Sequence, residues 1–414
     1  MMLDTLGVGL RGTSTPVFDV TFQYSKVHSM DFDDTWHPAT HPSGAVLPAL
    51  LALAESLPYK LSGLDLLLAF NVGLEIQGRL MRFSKEAHNI PKRFHPPSVV
   101  GVMGSAAATA KLLGLSPSQT IAALAIACSS AGAPLANAAT QTKPLHLGYA
   151  ASRGLEASQL ALLGLEGNKH ILDLESGFSI FYQDYFSSNL TEVSSASQYK
   201  WVLEEQDVAF KRFPAHLGMH WVADAAINVR NKIHTRKPNA DLSQITRIVL
   251  RVPSSRYIDC PFPVTDHEAR HSYQFNCCSA LLDGMVTVDS FSSEMMKRKA
   301  LKDMLLKVHL ENPKDNQASF EKMYAEVVVE MANSETHTAH CHTFYGHWRK
   351  PLNQEHLVEK FKNNASTVLS SYAVDSIVQL IDSLETVTDC SELWSSMQFH
   401  KNIKHNKSFY SASA

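Results

Sequence analysis

The chain has no CxxC pair, no long apolar run and no block of like charge. Each absence removes a class of function. The six cysteines (Cys128, Cys260, Cys277, Cys278, Cys341, Cys390) match neither a disulfide framework nor a zinc pattern, which fits a reducing compartment. No uninterrupted apolar stretch reaches the about 18 residues of a membrane span, so none is expected. Lys/Arg-rich blocks are missing and the net charge is -3, so no global field exists to hold nucleic acid. Met1–Gly7 carries an acid and a glycine where a secretory signal needs a basic and then an apolar run, so no signal is expected. Without one, the sequons at Asn189, Asn364 and Asn406 read as chance matches. Internal repeats and low-complexity segments are also absent.

What is present is a chain of 414 residues, 45% apolar and 19% charged, enough for two or three well-packed domains. Residues 45–165 read as helices. Ala45–Ser56 and Leu64–Gly73 are apolar at helical spacing, and Ser98–Leu113 is rich in Ala, Gly and Ser. Gly114 ends that helix. Ser116 then fits an N-cap, Pro117 the first helical position and Gln119 the reciprocal cap, opening a helix over Thr120–Ala131. Leu155–Leu163 is a further helix closed by Gly164. Such small-residue helices predict a tightly packed bundle.

After about residue 206 the texture changes. A helix over His220–Val229 leads into a half-buried strand, Ile245–Val252. Leu305–Leu310 and Ala325–Met331 are strand-like, Ala332–Ser334 is a turn, and Thr336–His342 pairs back. Helical pattern returns at Glu355–Phe361 and Ala373–Leu384. The expected fold class is mainly α with an α+β part. A large all-helical domain is formed by both chain ends (1–206 and 344–400), a smaller α+β domain is inserted at 207–343, and 401–414 is a mobile tail.

Four polar segments interrupt these elements. Asp31-Phe32-Asp33-Asp34-Thr35-Trp36-His37-Pro38-Ala39-Thr40-His41-Pro42-Ser43-Gly44 packs three acids and two histidines into fourteen residues. Carboxylates near imidazoles set each other's protonation. Taken as helical, His28–Trp36 puts His28, Asp31 and Thr35 on one face. His37 and His41 precede prolines and avoid the α region. A helix-cap cluster is the bland alternative. A metal site is another, but Pro38 and Pro42 break the helix that would align both imidazoles. Pro91-Lys92-Arg93-Phe94-His95-Pro96-Pro97-Ser98 leads cations and a His into a helix N-terminus, an anion site on first principles or else a solvated basic loop. Asn137–His146, with Lys143, reads as a polar stretch after a small apolar helix. Phe210-Lys211-Arg212-Phe213-Pro214-Ala215-His216 sits at the domain boundary, where ligand clefts are common. Taken singly, these two are ordinary connecting segments. Together the four favour a focused pocket for a small polyanion.

In this order, the segments resemble the MmgE/PrpD family. The carrying residues are His28–Gly44, Pro91–Pro97, Ala138–Leu145, Asp207–His216 and Phe344-Tyr345-Gly346-His347-Trp348-Arg349-Lys350-Pro351. The resemblance implies that the inserted domain is a lid, that the protein is a homodimer, and that it needs no cofactor and no metal. It implies decarboxylation of cis-aconitate to itaconate and CO2, with hydro-lyase chemistry on a methylcitrate-like acid as the alternative. The partner is then a small tricarboxylate, with no nucleic acid and no membrane span. By motif the pocket is Asp31, Thr35, His41, His95, Lys143, Lys211 and Tyr257. His41, Lys143, Lys211 and Asp31 are assigned to catalysis: His41, or one lysine, protonates the vinyl carbon, and Asp31 orients His41 or raises its pKa. Thr35, His95 and Tyr257 bind substrate. The resemblance also implies a mitochondrial location, although no Arg-rich presequence is seen; the cytoplasm is the alternative. Lys26 runs directly into Val27 where the family pattern has some tens of residues. A catalytically impaired form acting only through dimerisation is therefore a further reading.

Overall fold

The computed structural model describes residues 1–12, 30–36, 40–87, 93–137, 140, 142–187, 199–205, 207–255 and 258–397. His28, His37, Lys92, Tyr257, the Lys26–Val27 junction and the 401–414 tail lie outside these residues. The described part is mainly helical with two small sheets.

The helices of the first half are α1 (Met2–Gly12), α2 (Pro42–Ser56), α3 (Gly63–Arg82), α4 (Pro96–Leu112), α5 (Pro117–Cys128) and α6 (Lys143–Leu162). The capping box at Ser116 and Gln119 forms as the sequence predicts. Small residues set the spacing of α3, α4 and α6. A Cβ on Gly73 would sit 2.8 Å from the Gly104 carbonyl, and one on Gly154 would sit 2.4 Å from Ser105 Cβ. The close approach lets Ser105 Oγ donate to the Ala151 carbonyl (2.9 Å) and joins Thr109 Oγ1 to Ser158 Oγ (2.7 Å). Buried hydroxyls thus find partners inside an apolar bundle.

The second half begins with α7 (Met219–Arg236). A four-stranded sheet follows, built from β3 (Ile245–Arg251), β4 (Val308–Glu311), β5 (Ala325–Met331) and β6 (Thr336–Cys341) in the order β4-β3-β5-β6. Only the β3–β4 pair is parallel. Ile248, Leu250, Val327, Val329 and Ala339 of the sheet share one core with Trp221, Val222 and Val229 of α7. The predicted strand at Leu305–Leu310 is displaced. Leu305 ends a short helix, Lys299–Leu305, and the strand starts only at Val308. Chain ends meet in a separate core, where Leu3, Leu6 and Leu10 pack with Leu47, Leu50, Phe361, Val374, Ile377 and Leu393.

A two-stranded ribbon ties the halves together. β1 (Thr35–Trp36) pairs antiparallel with β2 (Val208–Ala209), Thr35 opposite Ala209. This corrects the helical reading of His28–Trp36 for its described part. Residues 30–34 are turn and bend, and Asp31 has φ +50, a left-handed conformation that no helix accommodates. Pairing with a strand over 170 residues away outweighs local helical spacing here.

Candidate functional site

Three of the predicted site residues share one local device. His41 precedes Pro42, His95 precedes Pro96, and Lys143 precedes Pro144. Proline fits the first turn of a helix and pushes the residue before it toward extended backbone. His41 (φ -116, ψ 81) and His95 (φ -73, ψ 114) accordingly occupy the N-cap positions of α2 and α4. Lys143 is the first residue of α6. The expected loop at Asn137–His146 is therefore part helix, because α6 starts at Lys143, twelve residues before the predicted Leu155. Three helix N-termini, each carrying partial positive charge, supply one wall of the cluster.

The opposite wall is the turn before β1. Asp31 is 4% exposed, and its carboxylate holds two lysines. Lys143 Nζ donates to Oδ2 at 2.7 Å, and Lys211 Nζ donates to Oδ1 in a short contact and to the Asp31 carbonyl at 3.1 Å. Lys211 Nζ is also 3.8 Å from Asp33 Oδ1. Burial lowers the Lys143 pKa below the ordinary lysine range; Asp31 opposes that shift and Lys211 adds to it.

His41 Nδ1 lies 2.8 Å from the Asp34 carbonyl, 3.4 Å from Asp33 Oδ2 and 3.5 Å from Thr35 Oγ1. A carbonyl only accepts, so Nδ1 carries the hydrogen and Nε2 is the nitrogen that can exchange a proton. The sequence reading paired His41 with Asp31. In the structure, Asp33 is the acid at its Nδ1 and Asp31 is turned to the lysines. His95 continues the imidazole row. Its ring centroid is 6.4 Å from that of His41, and its Nδ1 is 3.2 Å from His146 Nδ1. One ring of that pair must donate and the other accept. Burial, then Lys143, keeps His146 toward the neutral form.

Asp34 faces the other way. Its Oδ2 accepts from Ser43 Oγ, and burial pushes its carboxyl up to about 7 despite that bond. A carboxyl raised in the fold favours the folded state below its unfolded value near 4 and costs stability as pH rises through about 7. Asp34→Asn should therefore leave the melting temperature unchanged near pH 4 and raise it by about a few degrees at pH 8. Thermal melts across pH check this; an equal shift at both ends would place the Asp34 charge outside the stability balance.

Arg270, Lys360 and His271, which brace the site, were not singled out in the sequence. Arg270 Nη1 donates to the Met30 (3.1 Å) and Pro214 (2.6 Å) carbonyls, tying the Asp31 turn to the Lys211 segment. Lys360 reaches the same turn from the far end of the chain, donating to the Phe32 carbonyl at 2.9 Å and pairing with Asp4 Oδ1 at 2.6 Å. Gly346, at φ +110, lets the Phe344–Pro351 stretch accept from the Phe210 amide at 2.8 Å; a Cβ there would meet the Phe210 carbonyl. His271 Nε2 is 3.4 Å from Asp31 Oδ2. The i,i+4 spacing of His267 and His271 was the available signal. Arg93, expected among the cations, instead pairs with Glu86 at 3.1 Å.

The structure thus brings Asp31, Thr35, His41, His95, Lys143 and Lys211 into one cluster, none more than 6% exposed. A carboxylate oxygen each of Asp31 and Asp33 and a ring nitrogen of His41 lie within 4.8 Å of one another, and the lysine ammoniums supply cationic charge beside them.

Comparison with known proteins identifies the family. Residues 25–191 match the MmgE/PrpD N-terminal domain and residues 213–386 the MmgE/PrpD C-terminal domain. Human cis-aconitate decarboxylase is 54% identical over 425 residues, covering 95% of this chain and 88% of the relative. The mouse protein of the same name is 54% identical over 426 residues, covering 95% of this chain and 87% of its own length. Cis-aconitate decarboxylase of Aspergillus terreus is 25% identical over 392 residues, covering 89% of this chain and 78% of its own. With both halves matched in order, and a relative of that identity spanned nearly end to end, the chain belongs to the MmgE/PrpD family.

Proposed function

We propose that this chain decarboxylates cis-aconitate to itaconate and CO2 without a cofactor. The observation that carries the reading is the convergence of Lys143, Lys211, His41 and His95 on one buried centre, in a chain so similar to the human decarboxylase.

The chemistry needs three things from the site. Loss of CO2 from the CH2-carboxylate leaves an electron pair that moves through the C=C bond. That shift makes the carbon that lost CO2 the terminal CH2=C group, and the far vinyl carbon takes a proton to become the new CH2. Two retained carboxylates must be held meanwhile. Lys143, Lys211 and His95 hold carboxylates, aided by the α4 and α6 N-termini. Thr35 hydrogen-bonds the substrate, and so by motif does Tyr257. His41 Nε2 delivers the proton, with Asp33 and the Asp34 carbonyl fixing the ring. Lys143, with its lowered pKa, is the alternative donor. Purified protein given cis-aconitate should release CO2 and accumulate itaconate in equal amounts; a hydroxy-acid product without CO2 would assign hydro-lyase chemistry instead.

The cluster is too buried for a substrate to enter as it stands. We read the Ala209–Phe344 core as a lid over a helical domain built from both chain ends, opening along the seam that β1 and β2 cross. Limited proteolysis should show seam cuts that tricarboxylate binding suppresses. A homodimer is part of the same reading. Leu162, Leu163 and Leu165 are exposed at the end of α6, with Leu163 at 84%, and a second copy would cover them. Sedimentation near twice 45.8 kDa is expected. We place the protein in mitochondria, to be checked by imaging a tagged chain. The 425 positions aligned to the human relative exceed the 414 residues here, which supports a shortened segment within this chain. The product assay decides whether activity survives it.

A further inference from the structure

The reaction cluster has a charge problem. Its two buried ammoniums, Lys143 and Lys211, already face the carboxylates of Asp31 and Asp33. A tricarboxylate that draws on them leaves these aspartates uncompensated in a site with little water, which is costly. Charge must come from somewhere, and protons are the available source.

His271 is placed to take one. It is 3% exposed, at the end of the short helix Asp266–Arg270. Its Nδ1 is 2.9 Å from the His267 carbonyl, so Nδ1 carries a hydrogen and Nε2 is the nitrogen facing Asp31 Oδ2 at 3.4 Å. Lys143 Nζ contacts the same oxygen at 2.7 Å. The groups around the ring are Asp31 from the turn before β1, Lys143 from α6, His216 from the segment before α7, and His267 from its own helix. The His216 and His267 centroids lie 5.3 and 4.7 Å from that of His271. While Lys143 stays close, burial, then Lys143, hold His271 neutral against the pull of Asp31. Withdraw the ammonium, and the largest charge opposing protonation is gone, leaving the Asp31 attraction set chiefly against burial.

We propose that His271 is a positioning residue that takes up a proton as substrate binds, pairs with Asp31 Oδ2 in place of Lys143, and so releases that ammonium to a substrate carboxylate. The proton leaves a buffer acid and joins the Nε2 lone pair; no other bond changes. The inference rests on the tricarboxylate reading above and adds a coupling that reading does not contain.

Calorimetric titration with tricarballylate tests it. This saturated tricarboxylate has no vinyl carbon to protonate, so binding is read apart from chemistry. Titrations of the full chain at pH 7.5 in phosphate and in Tris give the protons taken up per ligand. About one is expected for the wild type. His271→Gln keeps an amide near the Nε2 position but cannot become a cation, so uptake should vanish and binding should weaken about tenfold. Uptake that persists in His271→Gln belongs to His41 or the His95–His146 pair and overturns the inference. So does wild-type binding without uptake, a result that does not depend on whether the variant folds. Absence of tricarballylate binding by the wild type removes the tricarboxylate reading and this inference with it.

Discussion

Lys211→Met should cut CO2 release by about a thousandfold or more. Lys211 is fully buried, and its ammonium touches Asp31 twice and lies 3.8 Å from Asp33. One charge pair near 4 Å is worth about 4 kcal/mol at an effective dielectric of 20. At 1.36 kcal/mol per decade of rate, losing a contact of that size to the substrate corresponds to about three decades. The same change also threatens the fold. Breaking a buried pair by removing one partner costs about 3–5 kcal/mol, because the remaining charge is stranded. The two effects separate in the double variant Asp31→Asn/Lys211→Met. Removing both charges should restore much of the melting temperature while CO2 release stays absent. If Lys211→Met alone keeps near-wild-type turnover, Lys211 holds Asp31 and not the substrate.

How far the site could be read beforehand depended on the range of the interaction. Local devices were legible. Ser116 and Gln119 form their capping box, Ala325–Met331 and Thr336–Cys341 pair as predicted, and the X-Pro steps at His41 and His95 put both imidazoles at helix entrances. Misreadings came where a distant partner decides the local conformation. Asp31–Trp36 has helical spacing, yet β2 fixes Thr35 and Trp36 as a strand. Arg93 sits in a basic segment, yet Glu86 claims it. Lys143 and Lys211 read as cations free for substrate, while the fold delivers each already matched to an acid. Composition can count charges but cannot say which are spent inside the protein. Arg270, Lys360 and His271 brace one turn, at Met30–Phe32, from sites 240 or more residues away, and only a folded backbone brings them there.

His41→Asn should lower kcat by about 10²–10⁴ and leave the melting temperature nearly unchanged. The choice of Asn follows from the geometry. Nδ1 of His41 donates to the Asp34 carbonyl at 2.8 Å, and the Asn amide nitrogen can occupy that position and keep the bond. What the substitution removes is Nε2, the nitrogen left to carry a proton toward the vinyl carbon. Because no substrate carboxylate depends on that nitrogen, KM should move much less than kcat, which separates proton delivery from binding. The pH profile adds an independent reading. If His41 is the acid, the limb of kcat that reports its ionisation disappears in His41→Asn, and the residual rate follows another group. Lys143 is that group if a new limb appears at higher pH, since it lies in the same cluster and its ammonium is made more acidic by burial. Turnover within about tenfold of wild type in His41→Asn would take the proton-donor role from His41 and give it to Lys143.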